Sequence, residues 1–296
     1  MEVKINEYIT DYINSLYGNN ASKNTTKNYL SDLRFYQNWL NTQNISIIAV
    51  NLQLLNKFKV HLRDYKMSNG KHYAPATISK RVTVVKELYN YLHDMDIIEI
   101  NPATKMTIPD IPKGKTPIYM KADEVKRLIT ATKDGFHGIR DKAILTVFLT
   151  TGLRLSELRE LNRGDIDENL LTVLHGKGDK QRKVYINKVC IKAIGDYLII
   201  RFDNNEALFI SERGNRISID SINYMLSKYL KIAKLSEKYT AHKLRHTSAS
   251  LMLTNGVGIR TIQDILGHAS LATTQKYTHV QDEDMQKAAN VMESIF

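Results

Sequence analysis

Cysteine is nearly absent from the sequence: Cys190 is the one cysteine among 296 residues. An intrachain disulfide and a cysteine-based zinc site are therefore excluded, and Cys190, within NKVCIKAIGDYLII, is predicted to be a small buried side chain. The sequence also has no apolar run long enough to cross a membrane, and its N-terminus lacks the hydrophobic core of a signal peptide. These absences predict a cytoplasmic protein without a membrane partner.

Acidic residues are in short supply relative to basic ones. The chain has 31 Asp and Glu against 42 Lys and Arg, a formal net charge of +11. Both halves share the excess, because residues 1–117 hold 15 basic and 10 acidic residues and residues 118–296 hold 27 and 21. A basic excess on two parts of a chain favours a polyanionic partner such as nucleic acid. A generally basic protein without such a partner has the same composition.

The first third of the chain has the apolar spacing of helices. Residues 5–17, 22–43 and 52–65 place apolar side chains three and four positions apart. A fourth helix is predicted from Thr77, as its N-cap, to Met95. The segment IPDIPKGKTP then contains three prolines and one glycine, which is typical of a linker. We therefore predict a helical domain at residues 1–105 and a linker at residues 106–117.

The remaining residues, 118–296, are predicted to form a mainly helical domain with a small β-sheet. The stretches LLTVLHG and RKVYIN are β-rich, and KGDKQ between them indicates a hairpin. Gly152 is predicted to end one helix, and Ser156 and Ser218 are predicted to cap two others. The expected fold class is mainly α with a small β-sheet or hairpin.

Several segments of this second domain contain residues suited to phosphate chemistry. In HKLRHTSAS, His242 and Arg245 are three residues apart and share one helix face. An arginine offers a planar fork of donors and a histidine a directed N–H, and together they can bind one phosphate. A solvated surface pair is the commoner explanation of such a spacing when it occurs alone.

Four further candidates lie on separate segments. Arg154 follows the helix-ending glycine in TTGLRLSEL, Lys177 lies in HGKG, His268 follows a glycine, and Tyr277 lies near the C-terminus. Each has an ordinary alternative, such as a surface arginine at a helix end or a packing tyrosine. Together with His242 and Arg245 they supply five donors or cations and one oxygen nucleophile.

The segments that carry these residues resemble the motifs of the tyrosine recombinases, the phage integrase family, in the same order. The four segments are TGLRLSEL, HGKGDKQRKVYI, HKLRHTSASLMLTNG and ILGHASLATTQKYTHV. In the first domain, TTKNYLSDLRFYQNWL and TISKRVTVVKELYNYLHDMDIIEINPA resemble the family's helical, SAM-like core-binding domain. The chain is most similar to the compact Xer-type members. The resemblance implies a core-binding domain and a mixed α/β catalytic domain that form a clamp around DNA.

The resemblance also implies a role for each candidate residue. Tyr277 would attack a DNA phosphodiester and form a 3′-phosphotyrosyl link. Arg154 and Arg245 would clamp the non-bridging oxygens, and His242 and His268 would donate hydrogen bonds to the same phosphate. His242 is also a candidate to take the tyrosine proton.

Two further residues complete the implied set. Lys177 would protonate the leaving 5′-oxygen, and Lys180 is a candidate substitute for it. Glu157 would hold an arginine or the hairpin in place. The alternative is that its carboxylate only interacts favourably with the dipole at a helix N-terminus. No metal and no cofactor is expected.

The implied partner is double-stranded DNA with an inverted-repeat core site, bound by a homo-tetramer. The C-terminal tail, through Ala289, Met292 and Phe296, would dock on a neighbouring protomer. Packing of the tail on its own domain is the alternative. A related recombinase or an accessory protein is a further candidate partner.

Two biological roles remain open within this class, resolution of chromosome or plasmid dimers and integration or excision of a mobile element. Because an additional arm-binding domain has no room before residue 5, the sequence favours a Xer-like or simple transposon enzyme. Outside the class, a type IB topoisomerase uses the same tyrosine chemistry. A non-catalytic DNA-binding protein is the third possibility, although it has no use for Tyr277.

Overall fold

The computed structural model describes residues 6–111, 118–174, 181–267, 282–293 and 295, without the side chains of residues 282 and 283. The chain divides into two compact units, Met1–Lys115 and Thr116–Phe296, called here the N-terminal and C-terminal units. In the part of the chain that the structure describes, no helix has both the length and the apolar character that a bilayer crossing requires.

The N-terminal unit is helical. Its elements are α1 (Glu7–Gly18), α2 (Lys23–Thr42), a 3-10 turn (Ile47–Ala49), α3 (Leu52–Asp64) and α4 (Pro75–Asp94). The first three α-helices begin at polar N-caps whose side chains accept a backbone N–H, as helix starts require. These caps are Asn6, Ser22 and Asn51.

The start of α4 differs from the predicted one. The prediction of Thr77 as N-cap is wrong, because the helix begins at Pro75 and has Ala74 at its N-cap. Proline fixes φ near the helical value and lacks an N–H, so the first helical position suits it without a side-chain cap.

The core of the N-terminal unit is aromatic and extends past the helices. Tyr36 and Tyr89 are fully buried and share a hydrogen bond of 2.8 Å between their hydroxyl oxygens. The Tyr89 hydroxyl also lies 2.9 Å from the Ile47 carbonyl oxygen, to which it donates. Ala103 and Met106 are buried in the same core. The N-terminal unit therefore includes the segment after α4 at least as far as Met106.

The C-terminal unit has eight α-helices and three strands among its described residues. They are α5 (Ala122–Thr130), α6 (Phe136–Thr151), α7 (Leu155–Glu160), β1 (Ile166–Asp167), β2 (Leu170–Val173), β3 (Arg182–Tyr185), α8 (Lys188–Ile199), α9 (Ile219–Ile232), α10 (Ala241–Thr254), α11 (Ile259–Leu266) and α12 (Asp282–Glu293). The predicted fold class, mainly α with a small sheet, is confirmed.

The sheet is antiparallel in the order β1-β2-β3. Leu170 of β2 pairs with Tyr185 of β3, and Val173 pairs with Arg182. This pairing confirms the two predicted β stretches. Residues 175–180, which connect them in the sequence, lie outside the described residues.

Helix α6 is the centre of the C-terminal unit, since every residue from Ala143 to Thr151 is buried. It packs against α8 and α10, and also against α12. Cys190, on α8, is a free thiol without solvent exposure, so its prediction as a small buried side chain is confirmed. Ser218 accepts the backbone N–H of Ser221 and caps α9 as predicted.

The last helix, α12, packs on the unit to which it belongs. Ala288, Ala289, Met292 and Ile295 are buried there. The Asn187 side chain, at the start of α8, donates a hydrogen bond of 3.1 Å to the Ala289 carbonyl oxygen. In this conformation the tail residues Ala289 and Met292 are therefore covered by their own chain, and Phe296 lies outside the described residues.

The end of α6 is a tight junction with α10 and α11. Gly152 ends the helix as predicted, in the left-handed conformation with φ +59°. A Cβ atom at this position would lie 2.6 Å from Cδ2 of Leu266 and 3.0 Å from Oγ of Ser248. The glycine is thus required both by its backbone angle and by its neighbours.

We expect Gly152→Ala to lower the free energy of unfolding more than Gly214→Ala does. Both glycines have positive φ, +59° and +74°, but a Cβ atom at Gly214 meets no atom within 4 Å. The left-handed backbone costs about 1–2 kcal/mol in both variants, and crowding adds about 1–3 kcal/mol at Gly152 alone. Urea unfolding of the two variants measures the difference. Equal losses would contradict the tight junction.

Candidate active site

Three arginines donate hydrogen bonds to three consecutive backbone carbonyls at the end of α11. Arg182 Nε lies 3.0 Å from the carbonyl oxygen of Ile265, and Arg245 Nη2 lies 2.7 Å from that of Leu266. Arg154 Nη2 lies 3.0 Å from the carbonyl oxygen of Gly267. The last carbonyls of a helix have no partner within it and carry its negative dipole end. The end of α11 is therefore an acceptor site for guanidinium groups.

Arg154 lies between the end of α6 and the start of α7. It is the N-cap of α7, so the prediction of Ser156 as N-cap is wrong. Its backbone N–H donates to Oε2 of Glu157 at 2.7 Å, and its Nη1 donates to Oε1 of the same residue at 2.7 Å. Glu157 thus caps the helix from the third helical position, as in half of a capping box. This leaves Ser156 without a capping role.

Glu157 is the acceptor at the centre of the cluster. Its side chain is 1% exposed, and Arg182 binds both of its oxygens, with Nη1 3.0 Å from Oε1 and Nη2 2.8 Å from Oε2. Burial raises the pKa of this carboxyl, but hydrogen bonds from Arg182 and from the Arg154 backbone outweigh burial and lower the pKa to about 2. Glu157 is therefore ionised at neutral pH and holds the arginines electrostatically.

Arg245, on α10, connects the ends of two helices. Its Nη1 donates to the Gly152 carbonyl oxygen at 2.7 Å, in addition to the bond from Nη2 to Leu266. Burial, followed by the charge of Arg154, lowers the pKa of Arg245 to about 10. It remains protonated at neutral pH, with a side chain that is 8% exposed.

Arg182 was not predicted as part of the site. It begins β3 and shares one strand face with Val184 and Ile186, which are 1% and 3% exposed. An arginine at an inward-facing position of a strand requires a buried anion as its partner. This position of Arg182 is the feature of the sequence that could have identified it as part of the site. Gly267 packs directly on its guanidinium, since a Cβ atom there would lie 3.0 Å from Arg182 Cζ.

The cluster has the chemistry of an anion site. Three guanidinium groups surround one carboxylate, which leaves an excess of positive charge. Within the described residues, Nε of Arg154 and Nε of Arg245 make no hydrogen bond, and the Arg154 side chain is 30% exposed. Fixed guanidinium donors of this kind bind phosphate oxygens. The structure therefore brings together the predicted residues Arg154, Glu157 and Arg245.

His242 lies one helical turn before Arg245 on α10 and is exposed. Its Nε2 lies 3.1 Å from Nε2 of His246, and the two rings meet edge to face. One imidazole donates and the other accepts in this bond. Burial, together with His242 and Arg245, lowers the pKa of His246. His246 therefore contacts the predicted site residue His242. The sequence pattern did not identify His246.

The other predicted site residues lie outside the described residues. These are Lys177 with its candidate substitute Lys180, His268 and Tyr277. In the sequence, His268 directly follows Gly267, and Lys177 lies between β2 and β3.

We expect Arg182→Ala to lower the free energy of unfolding by about 3 kcal/mol. The substitution removes the bidentate partner of a buried carboxylate, and such losses cost about 3–5 kcal/mol. The remaining contacts with Arg154 and Arg245 place the effect at the low end. Arg213→Ala, at an exposed turn of the same unit, is the matched control and should change stability by less than about 0.5 kcal/mol. Similar losses in both variants would contradict a structural ion pair.

Glu157 should give the protein an acid-sensitive component of stability. Its folded pKa of about 2 lies below the usual 4.5, so this contribution is present above about pH 4.5 and is lost as the pH falls toward 2. Glu157→Gln should remove this part of the pH dependence of unfolding, measured in urea at fixed ionic strength. Glu168→Gln, at an exposed position after β1, should keep the wild-type curve. Parallel curves for wild type and Glu157→Gln would contradict the assignment.

Comparison with known proteins identifies the family of both parts of the chain. Residues 119–284 match the model of the phage integrase family, and residues 4–108 match that of the phage integrase SAM-like domain. The tyrosine recombinase XerC of Caldanaerobacter subterraneus subsp. tengcongensis is 40% identical over 292 residues, which cover 91% of this chain and 81% of that protein.

Two solved structures share the fold at lower identity. The XerH site-specific recombinase bound to a palindromic difH substrate, in a post-cleavage complex, has a TM-score of 0.71 and 22% identity over 93% of this chain and 81% of its own. The lambda integrase tetramer bound to a Holliday junction has a TM-score of 0.70 and 16% identity over 93% of this chain and 79% of its own. With family models matched across both units, the chain belongs to the phage integrase family and is a tyrosine recombinase.

Proposed function

We propose that the chain cleaves and rejoins DNA at specific sites through a covalent link to Tyr277. The observation that carries this proposal is the arginine cluster, in which Arg154 and Arg245 are fixed by Glu157 and by backbone carbonyls. The two residues are the phosphate clamp that the sequence resemblance implies. Their excess positive charge matches a phosphodiester, whose charge increases in the transition state.

The clamp acts by preorganisation. Arg154 and Arg245 are held before substrate binds, so their donors need little rearrangement when the phosphorus becomes five-coordinate. Donors fixed in this way each contribute about 3–4 kcal/mol to transition-state stabilisation. Glu157 does not touch the phosphate in this scheme. It acts through the arginines, by keeping their guanidinium groups in place.

The proposed reaction is a balanced transesterification. The Tyr277 hydroxyl oxygen bonds to phosphorus and transfers its proton to His242, while the bond between phosphorus and the 5′-oxygen breaks. Lys177 gives a proton to that 5′-oxygen, and His268 donates a hydrogen bond to the phosphate. The product is a 3′-phosphotyrosyl link with a free 5′-hydroxyl. Attack by the 5′-hydroxyl of another strand reverses these steps, so the bond energy is conserved without a cofactor.

Arg182 has a positioning role in this scheme. It begins β3, five residues after Lys177 in the sequence, and it is bound to Glu157 and to the Ile265 carbonyl. Its contacts fix one end of the segment that carries the proposed general acid. The same contacts tie that end to the residue pair Arg154 and Glu157.

The domain roles are part of the proposal. The helical region at residues 1–105 would bind DNA, and residues 118–296 would hold the catalytic site. Residues 106–117 would link these two parts, which would together clamp the duplex. Net positive charge in both parts of the sequence supports this division. The DNA partner would place the protein with the chromosome, in the cytoplasm.

The assembly is proposed to be a homo-tetramer that joins two DNA sites through a Holliday junction. The lambda integrase relative in fold is a tetramer bound to such a junction. Exchange of α12 between protomers would require release of the Asn187–Ala289 hydrogen bond and of the buried Met292. A related recombinase or an accessory factor is a candidate trigger for that release.

Two roles stay within this proposal, resolution of DNA dimers and movement of a mobile element. The target sequence decides between them. The topoisomerase alternative is not supported, because the matched family and the similar proteins described above are recombinases and integrases.

We expect Tyr277→Phe to bind DNA with wild-type affinity and to form no covalent complex, because the substitution removes only the nucleophilic oxygen. Each protein is incubated with fragmented genomic DNA of the source organism and denatured with SDS, and the attached DNA is sequenced. Tyr17→Phe, a substitution at an exposed tyrosine of α1, is the matched control and should behave as wild type.

The outcomes of this capture are distinct. One short inverted-repeat sequence, recovered with wild type and the control alone, supports the proposal and identifies the target. Attachment at scattered sequences would favour a relaxing enzyme instead. Covalent attachment by Tyr277→Phe would exclude Tyr277 as the nucleophile.

A further inference from the structure

The region between α3 and α4 has an unusual distribution of charge. Residues 65–86 contain five Lys or Arg and no Asp or Glu. Two of the lysines, together with His72, lie in the connection between the two helices, at residues 66–72. We call this connection the α3–α4 hairpin.

The α3–α4 hairpin has a defined geometry. Lys66 and His72 form an antiparallel bridge, and the Met67 N–H donates to the Lys71 carbonyl oxygen at 2.9 Å. The turn is closed by Gly70, with φ +74°, whose N–H donates to the Met67 carbonyl oxygen at 2.8 Å. Asn69 Oδ1 accepts the Lys71 N–H at 3.1 Å. Residues paired in this way project side chains from the same face, so Lys66 and His72 point together.

Aromatic packing fixes the base of the hairpin. The rings of Tyr65 and Tyr73, which flank the bridge, stack with centroids 5.1 Å apart and planes 7° apart. Phe35 of α2 meets both rings edge-on, at 5.0 Å and 5.9 Å. Arg81 of α4 lies between two of these rings, with Cζ 4.1 Å from the Phe35 centroid and 4.3 Å from that of Tyr73. The hairpin is therefore attached to both α2 and α4.

The nearby acids are already paired. Asp32 accepts from Arg81 Nε at 3.2 Å and lies 3.1 Å from Lys80 Nζ, and Asp64 pairs with Arg63. Lys66, Lys71 and His72 are exposed, and in the part of the chain that the structure describes they make no ion pair. Lys66 and His72 share one face of the hairpin, and Lys71, which is adjacent to His72 in the sequence, projects from the opposite face. The fold thus places them on a fixed support and does not neutralise them.

We propose that the α3–α4 hairpin binds backbone phosphates of double-stranded DNA through Lys66, Lys71 and His72. The proposal rests on the proposed function for the identity of the polyanion and adds a binding site to it. Two lysine ammonium groups and an imidazole N–H on a rigid base can each donate to a phosphate oxygen of a duplex, and a preorganised base reduces the entropy lost on binding. Such contacts add affinity without reading sequence.

The salt dependence of DNA binding tests this proposal. Binding of the full chain to a fluorescent 40-base-pair duplex of mixed sequence is measured by anisotropy across a series of KCl concentrations. Each lost phosphate contact should reduce the slope of log K against log salt by about 0.9. Lys66→Gln and Lys71→Gln should each show this reduction, and the double variant about twice as much. Lys57→Gln, at an exposed lysine of α3, is the control with the same change of charge.

The outcomes separate the site from the function. Reduced slopes in the hairpin variants, with a wild-type slope for Lys57→Gln and unchanged thermal stability in all, support the site. An unchanged slope in the double variant overturns it and would direct attention to an acidic protein as the hairpin's partner. An equal reduction in the control overturns it as well, as an effect of net charge. Covalent capture of DNA by wild type and by the same variants tests the proposed function separately. Capture with an unchanged slope overturns the hairpin site alone, whereas loss of capture in wild type overturns the proposed function.

Discussion

The C-terminal turn of α11 holds the candidate site together. Ile265, Leu266 and Gly267 each present a carbonyl oxygen to a different arginine, and those arginines come from β3, α10 and the start of α7. Elements distant in the sequence therefore meet at one helix end. Because a helix end has unpaired acceptors in fixed directions, the site inherits its geometry from the backbone. The Gly152 carbonyl and the Glu157 carboxylate accept further hydrogen bonds from the same arginines.

The balance of charge within the cluster explains both its stability and its reactivity. One buried carboxylate offsets part of the repulsion among three guanidinium groups, and the excess remains. The lowered pKa values of Glu157 and Arg245 express the two sides of this balance: the anion is stabilised by its neighbours, and one cation is opposed by burial and by another cation. The negative charge of a bound phosphodiester would reduce that repulsion. The cluster therefore favours binding of the proposed substrate, a DNA phosphodiester.

The sequence predicts the elements of this site better than their connections. Helix periodicity, the glycine after α6 and the cap at Ser218 follow from local preferences, and the structure confirms them. Thr77 and Ser156 fail as caps because Pro75 and Glu157 provide other solutions to the same local problem. The inward register of Arg182 in β3 indicates a buried anion but does not identify which one, and His246 has no comparable signal in the sequence. Their importance depends on Glu157, on α11 and on His242, which only tertiary structure brings near.

Because the acceptors are backbone carbonyls, the site responds differently to substitutions than to insertions or deletions. A substitution at Ile265 or Leu266 alters a side chain but leaves the carbonyl that binds an arginine. Insertion or deletion of one residue within α11 is different, because it rotates the following backbone by about 100° and redirects all three acceptors at once. The three arginine contacts therefore tolerate a change in the composition of this helix far better than a change in the number of residues between Gly258 and Gly267.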